Sequence, residues 1–245
     1  MLKRIVGGAC GGLIAWQFHV ALIKYRTSSE VRVRVERSGG TYLFRPGSTS
    51  DLMMDSLDVG DVVLFDRSCY SMMPWNTVES LIQKYISKCR FDHVAVVLYD
   101  NKENVPVVAE LDRRGRVVLT PYDRRVLMSQ SNIIAVRRLR DRSRKNISKR
   151  DNDLVNLIRH DESYSSGGWI RRLRNAASED KSDDAAVFVT SVLQQLEIVE
   201  PHTDIYSKIV HFSPVDDDDD VSAEKTPEQA YWDSYYDPPL YVQLF

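Results

Sequence analysis

Residues 57–66, LDVGDVVLFD, and 91–100, FDHVAVVLYD, decide how this chain is read. Each is an apolar run of strand length closed by an aspartate, and the first is entered through a glycine turn. Working outward, VPVVAELDRRG at 105–115, RVVLTPYD at 116–123 and NIIAVRRLRD at 132–141 predict further strands. The turn DNKEN joins the second and third. Between the two opening runs, WNTVESLIQKYISKC (75–89) predicts a helix. Val78, Leu81, Ile82, Tyr85 and Ile86 recur at spacings of three and four, and Asn76 or Thr77 can cap it. A helix is predicted from Lys149 to Arg159, and another over DDAAVFVTSVLQQLEIV with Asp183 as cap. Strands followed by a late helix predict an α+β domain, with helices packed on one face of an antiparallel sheet or small barrel.

The amino terminus carries a second signal. Ile5 to Ile23 contains no charged residue, with Lys3 and Arg4 before it and Lys24 and Arg26 after it. A single spanning helix needs about 20 such residues, so residues 1–26 are expected to form one N-terminal transmembrane helix, a membrane anchor. A cleaved signal or import sequence and a buried soluble helix are the alternatives. Gly7 with Gly11 and Gly8 with Gly12 form two small-xxx-small spacings. These favour close approach of a partner helix in lipid and disfavour a helix in water. Residues 27–54 predict a strand-rich linker, because VRVRV alternates with period 2. RPGSTSD is expected as a loop.

Composition bounds the partners. The 245 residues allow one medium domain with extensions, and 43% hydrophobic content suffices for a core. The net charge of −2 conceals asymmetry. Residues 113–150 hold thirteen Lys/Arg against two Asp, and 216–245 hold nine Asp/Glu against one Lys. Aromatic residues do not alternate with the arginines, so no nucleic-acid stacking platform is indicated. Cys10, Cys69 and Cys89 form no disulfide framework and no CxxC pair. No Cys/His set has metal-ligand spacing, and no nucleotide, zinc-protease or calcium-loop motif occurs. Neither cofactor nor metal is expected. The acidic and aromatic segment 218–245 is expected to lie extended, or to order on meeting a partner.

Taken together, GDVVLFD, DHVAVVLYD, VVAELD, TPYDRR and IIAVRRL resemble the circularly permuted NlpC-type papain-like family. Its members include the YiiX-like hydrolases, and lecithin:retinol acyltransferase is a relative. The resemblance spans roughly residues 55–217 and implies a papain-like fold. In such proteins a His opens the second core strand, an acidic residue follows on the next, and a cysteine heads a later helix. Here these positions correspond to His93, Glu110 and Ala185, or Ala186 with a one-residue shift. The family's domain often closes with a (T/S)P-x-D segment, which corresponds here to Ser213-Pro214-Val215-Asp216. The departure matters: a methyl group cannot attack a carbonyl, and the thiolate is the family's nucleophile. His93 and Glu110 are then vestigial. Cys69, after the first core strand, is the better fallback thiol, ahead of Cys89, which precedes His93. The plainer account of His93 is a strand-end histidine hydrogen-bonded to Asp92 or Glu110. The plainer account of Glu110 is an ion pair with an arginine such as Arg113. His19, His160, His202 and His211 are isolated and read as structural.

Two functions are therefore expected as alternatives. One is a catalytically inactive papain-like domain, a pseudoenzyme acting as a membrane-anchored accessory subunit of a larger assembly. It would touch other protein subunits through its N-terminal helix and C-terminal tail, and membrane lipid, but no nucleic acid. A mitochondrial inner membrane fits that plan by analogy. The other is a membrane-bound thiol hydrolase or acyltransferase on lipid or peptide amides, using the displaced Cys69. A weaker variant has the vacated cleft bind an acyl chain or peptide.

Overall fold

The computed structural model describes residues 2–39, 43–68, 71–72, 74, 77–78, 80–81, 84, 90–100, 102, 105–112, 115–140, 147–160, 184–199 and 227–243, with backbone alone at 2–11, 147–150, 184, 227–229, 231 and 243. The described elements are α1 (Leu2–Arg37), α2 (Thr49–Ser56), β1 (Val62–Arg67), β2 (His93–Asp100), β3 (Val105–Leu111), β4 (Val117–Pro121), α3 (Tyr122–Met128), β5 (Ser131–Arg137), α4 (Ile147–His160), α5 (Asp184–Gln195), α6 (Pro227–Tyr235) and β6 (Leu240–Gln243). The predicted helix over 75–89 lies largely outside the described residues.

The architecture is α+β. The six strands form one open antiparallel sheet in the order β4-β3-β2-β1-β5-β6, not a closed barrel. The first four strands meander outward. The chain then returns to lay β5 against the free side of β1. The four residues Val62–Phe65 and the run Val94–Val97 are at most 1% exposed. Strands apolar on successive residues need cover on both faces, so the expected one-sided packing is replaced by three layers. Val62, Leu64, Val94, Val96 and Leu98 face α4, α5 and α6. Val63, Phe65, Ala95 and Val97 face α2 and α3.

The Gly60-Asp61 pair that introduces β1 is structural. Gly60 has φ +90°, and a Cβ there would stand 2.5 Å from Ile198 Cδ1. The fully buried Asp61 carboxylate accepts from the backbone N–H of Asp58 (3.0 Å) and of Leu139 (2.9 Å). It ties the start of β1 to the end of β5.

Three expectations change. First, α1 does not stop at residue 26: the alternating VRVRV is helical, and the strand-rich linker is absent there. As a helix, that stretch brings Val31 (8% exposed) into line with Thr27 and the fully buried Val20. Burial along one stripe outweighs a period-2 pattern whose arginines reach water in either conformation. The helix ends at Ser38-Gly39, with Gly39 at φ +65°. Among the described residues no helix is long and apolar enough to cross a membrane. Second, the RPGSTSD loop runs into α2, whose N-cap Ser48 accepts from the Asp51 N–H at 3.3 Å. Third, the described part of the tail, residues 227–243, packs on the domain as α6 and β6. Trp232 and Tyr236 are fully buried, Arg137 bonds Asp233 at 2.6 Å, and β6 completes the sheet.

Candidate functional site

His93 opens β2, opposite Phe65 of β1 in the register. Glu110 lies on β3, opposite Val118 of β4. Alternation along each strand turns both side chains to the face covered by α2 and α3. There His93 Nε2 stands 2.7 Å from Glu110 Oε2. The pair foreseen from strand order is thus formed, and Asp92 is not the histidine's partner. Asp92 instead holds Arg67, through Oδ1 to its backbone N–H (2.8 Å) and Oδ2 to Nε (3.0 Å).

The third member is Arg125 of α3. Its Nε donates to Glu110 Oε1 at 2.6 Å and its Nη2 to Oε2 at 2.8 Å. The guanidinium lies 4.2 Å from the centroid of the Phe65 ring, whose centre is 5.9 Å from the imidazole. One carboxylate is therefore gripped by a two-pronged arginine and by an imidazole, over an aromatic floor. Arg113, the arginine first considered for Glu110, lies outside the described residues. Arg125 could have been found: TPYDRR places a short helix directly after β4, and β4 neighbours β3. A helix folding back there returns its second arginine to Glu110.

Electrostatics favour one protonation pattern. Burial lowers the His93 pKa, as does the nearby Arg67 charge; the Glu110 hydrogen bond works against them and loses. Burial alone would raise the Glu110 pKa. The His93 hydrogen bond and the Arg125 charge outweigh it and hold the carboxyl at about 2. Near neutral pH the imidazole is uncharged and Glu110 is ionised. An ionised carboxylate only accepts, so the proton of the neutral ring resides on Nε2.

The other proposed participants are not brought to this cluster. Ala185 and Ala186, on α5, pack with Val94 and Val96 on the opposite face of the sheet. Their small side chains serve close helix–sheet packing, and Ala186 is fully buried. Thr190 donates its hydroxyl back to the Ala186 carbonyl at 2.9 Å. Cys69, Cys89, His202, His211 and the Ser213–Asp216 motif lie outside the described residues, and Cys10 is described by backbone alone. His19 and His160 are exposed on their helices. Among the described residues no group of three metal-ligand side chains occurs. A cleft of about 260 Å³ lies between α1 and the α3–β5 junction, lined by Thr27, Glu30, Arg34 and Gln130; His93 does not line it.

A second perturbed carboxyl sits on the other face. Asp151 of α4 is 1% exposed, and both its oxygens lie 3.1 Å from the Tyr99 backbone nitrogen. Burial, with Asp58 and Asp100 nearby, pushes its pKa up to about 7. A folded pKa above the unfolded value favours the protonated group. Its contribution is therefore complete below about pH 4 and is lost as pH rises through 7. Asp151→Asn keeps an acceptor for Tyr99 and removes the charge. Thermal melts are expected to show a higher Tm for the variant at pH 8, with the two proteins converging at pH 5.

No family model, curated protein or solved structure matches the chain.

Proposed function

We propose that this chain is a non-catalytic domain of papain-like descent that serves as an accessory subunit, held at a membrane through α1. The carrying observation is the His93–Glu110–Arg125 cluster. A general base needs a pKa near working pH and a proton donor within reach. Here the imidazole is buried and shifted downward, its carboxylate partner is held by both prongs of Arg125, and Ala185, at the position that corresponds to the family's nucleophile, lies on the opposite face of the sheet. The cluster fastens α3 to β2 and β3, which is the work of a structural linchpin. Papain-like descent is supported by the ordered motifs and by the His93–Glu110 pairing on adjacent strands.

Contacts with neighbouring subunits fall to the surface that the C-terminal segment leaves open. β6 is an outer strand of the sheet, and Leu240 and Tyr241 on it are 40% and 43% exposed. An exposed sheet edge is a ready pairing surface.

Purification in gentle detergent, followed by identification of co-migrating proteins, tests this function. A stoichiometric assembly is the expected result. A lone monomer contradicts it.

A further inference from the structure

We propose that α1 lies flat on an anionic lipid surface through a stripe of Ile14, Phe18, Leu22 and Tyr25, instead of crossing the bilayer. This rests on the membrane-held reading above and specifies its mode. The four residues are spaced 4, 4 and 3 apart, which places them on one side of a helix. All are exposed: Ile14 67%, Phe18 72%, Leu22 38% and Tyr25 74%. Four large apolar side chains aligned in water mark an interaction surface, unlike singly scattered ones.

The opposite side of α1 is already taken. Trp16, Val20, Ile23, Thr27 and Val31 form a second stripe; Val20 is fully buried, and Gln130 Nε2 donates to Thr27 Oγ1 at 2.8 Å. Thus one side of the helix is covered from Val20 onward and is bonded to the α3–β5 junction at Thr27. The uncharged run ahead of Val20 begins at Ile5, leaving about 22 Å of helix at ~1.5 Å per residue. A bilayer core needs ~30 Å. A helix docked along one side, apolar along the other and too short in its free part fits the plane of the interface.

Charge selects the occupant. Within α1 stand Lys3, Arg4, Lys24, Arg26, Arg32, Arg34 and Arg37 against Glu30 and Glu36, while the whole chain carries −2. Positive charge is therefore gathered on the element bearing the stripe. Anionic headgroups attract this helix and repel the net-negative remainder of the chain, which orients the domain. A second copy docked through the same stripe would set like charges side by side. Tyr25, at the stripe's C-terminal end, suits the headgroup level.

The test is flotation of the full chain with vesicles of phosphatidylcholine alone or mixed with phosphatidylserine. Binding is expected only to the mixed vesicles, weakened by salt, and reduced at least about tenfold by Phe18→Glu. Arg26→Glu is expected to weaken it less. Phe18 is largely exposed, so an unchanged circular dichroism spectrum accompanies the loss. Equal binding to neutral vesicles, or binding that survives an alkaline wash, overturns the in-plane mode and leaves the membrane reading intact. No binding to either vesicle, or Phe18→Glu binding as tightly as the parent, overturns the assignment. So does a concentration-dependent dimer that Phe18→Glu breaks. A chain that floats as expected yet purifies alone sinks the accessory-subunit function and leaves the stripe assigned to lipid.

Discussion

Glu110→Ala is expected to destabilise the domain by about 3–5 kcal/mol, the range for removing one partner of a buried ion pair. The Arg125 side chain is only 12% exposed and would lose both bonds to its counter-charge. His93 would lose the one neighbour that raises its pKa by hydrogen bond and charge. Chemical denaturation measures the loss as a shift in midpoint at unchanged slope. The pH dependence supplies a second signature. Glu110 has a folded pKa of about 2, below its usual 4.5. Its stabilisation is present above about pH 4.5 and disappears as pH falls toward 2. The variant is expected to lack that component of acid denaturation. A denaturation midpoint that hardly moves would contradict the structural role given to Glu110.

Trp232→Ala is expected to cost about as much, roughly 3–5 kcal/mol, because the indole is fully buried in the core between the sheet and its helices. The same segment is held by Arg137 and Asp233 at 2.6 Å and by Tyr236 Oη donating to the Gly60 carbonyl at 3.0 Å. A chain ending before Pro227 is therefore expected to lose cooperative unfolding. If residues 227–243 were a partner-binding arm, both changes would leave the isolated protein's melting curve in place.

The strands were readable because their burial is written in consecutive residues. VVLF and VAVVL can only be central strands or buried helices, and their length and flanking turns decide between the two. Helices α4 and α5 were readable from apolar spacing alone. The C-terminal half of α1 was not: VRVRV satisfies a strand locally, and only the Val20–Thr27–Val31 stripe, a tertiary fact, overrides it. The α2 helix was signalled and missed. Ser48 caps the Asp51 N–H, and the Asp51 carboxylate reaches back to accept from the Gly47 N–H at 2.7 Å. The tail misled because aromatic side chains anchor a domain's own core and a partner's surface with the same chemistry.

At the site, the pairing of His93 with Glu110 followed from their order on neighbouring strands. The placement of α5 did not, because a helix apolar at nearly every turn carries no mark of which sheet face it will cover. The proposed loss of catalysis rests on an imidazole enclosed by Glu110, Arg125 and Phe65, on the face of the sheet opposite Ala185 and Ala186.

Nitrogen-15 NMR of the histidine side chains across pH 5–8 tests that claim most directly. A His93 ring that is neutral at pH 7–8 with its proton on Nε2, and whose titration midpoint lies below the usual 6.5, is the predicted result. An imidazolium persisting at neutral pH, as in a thiolate–imidazolium pair, would contradict it.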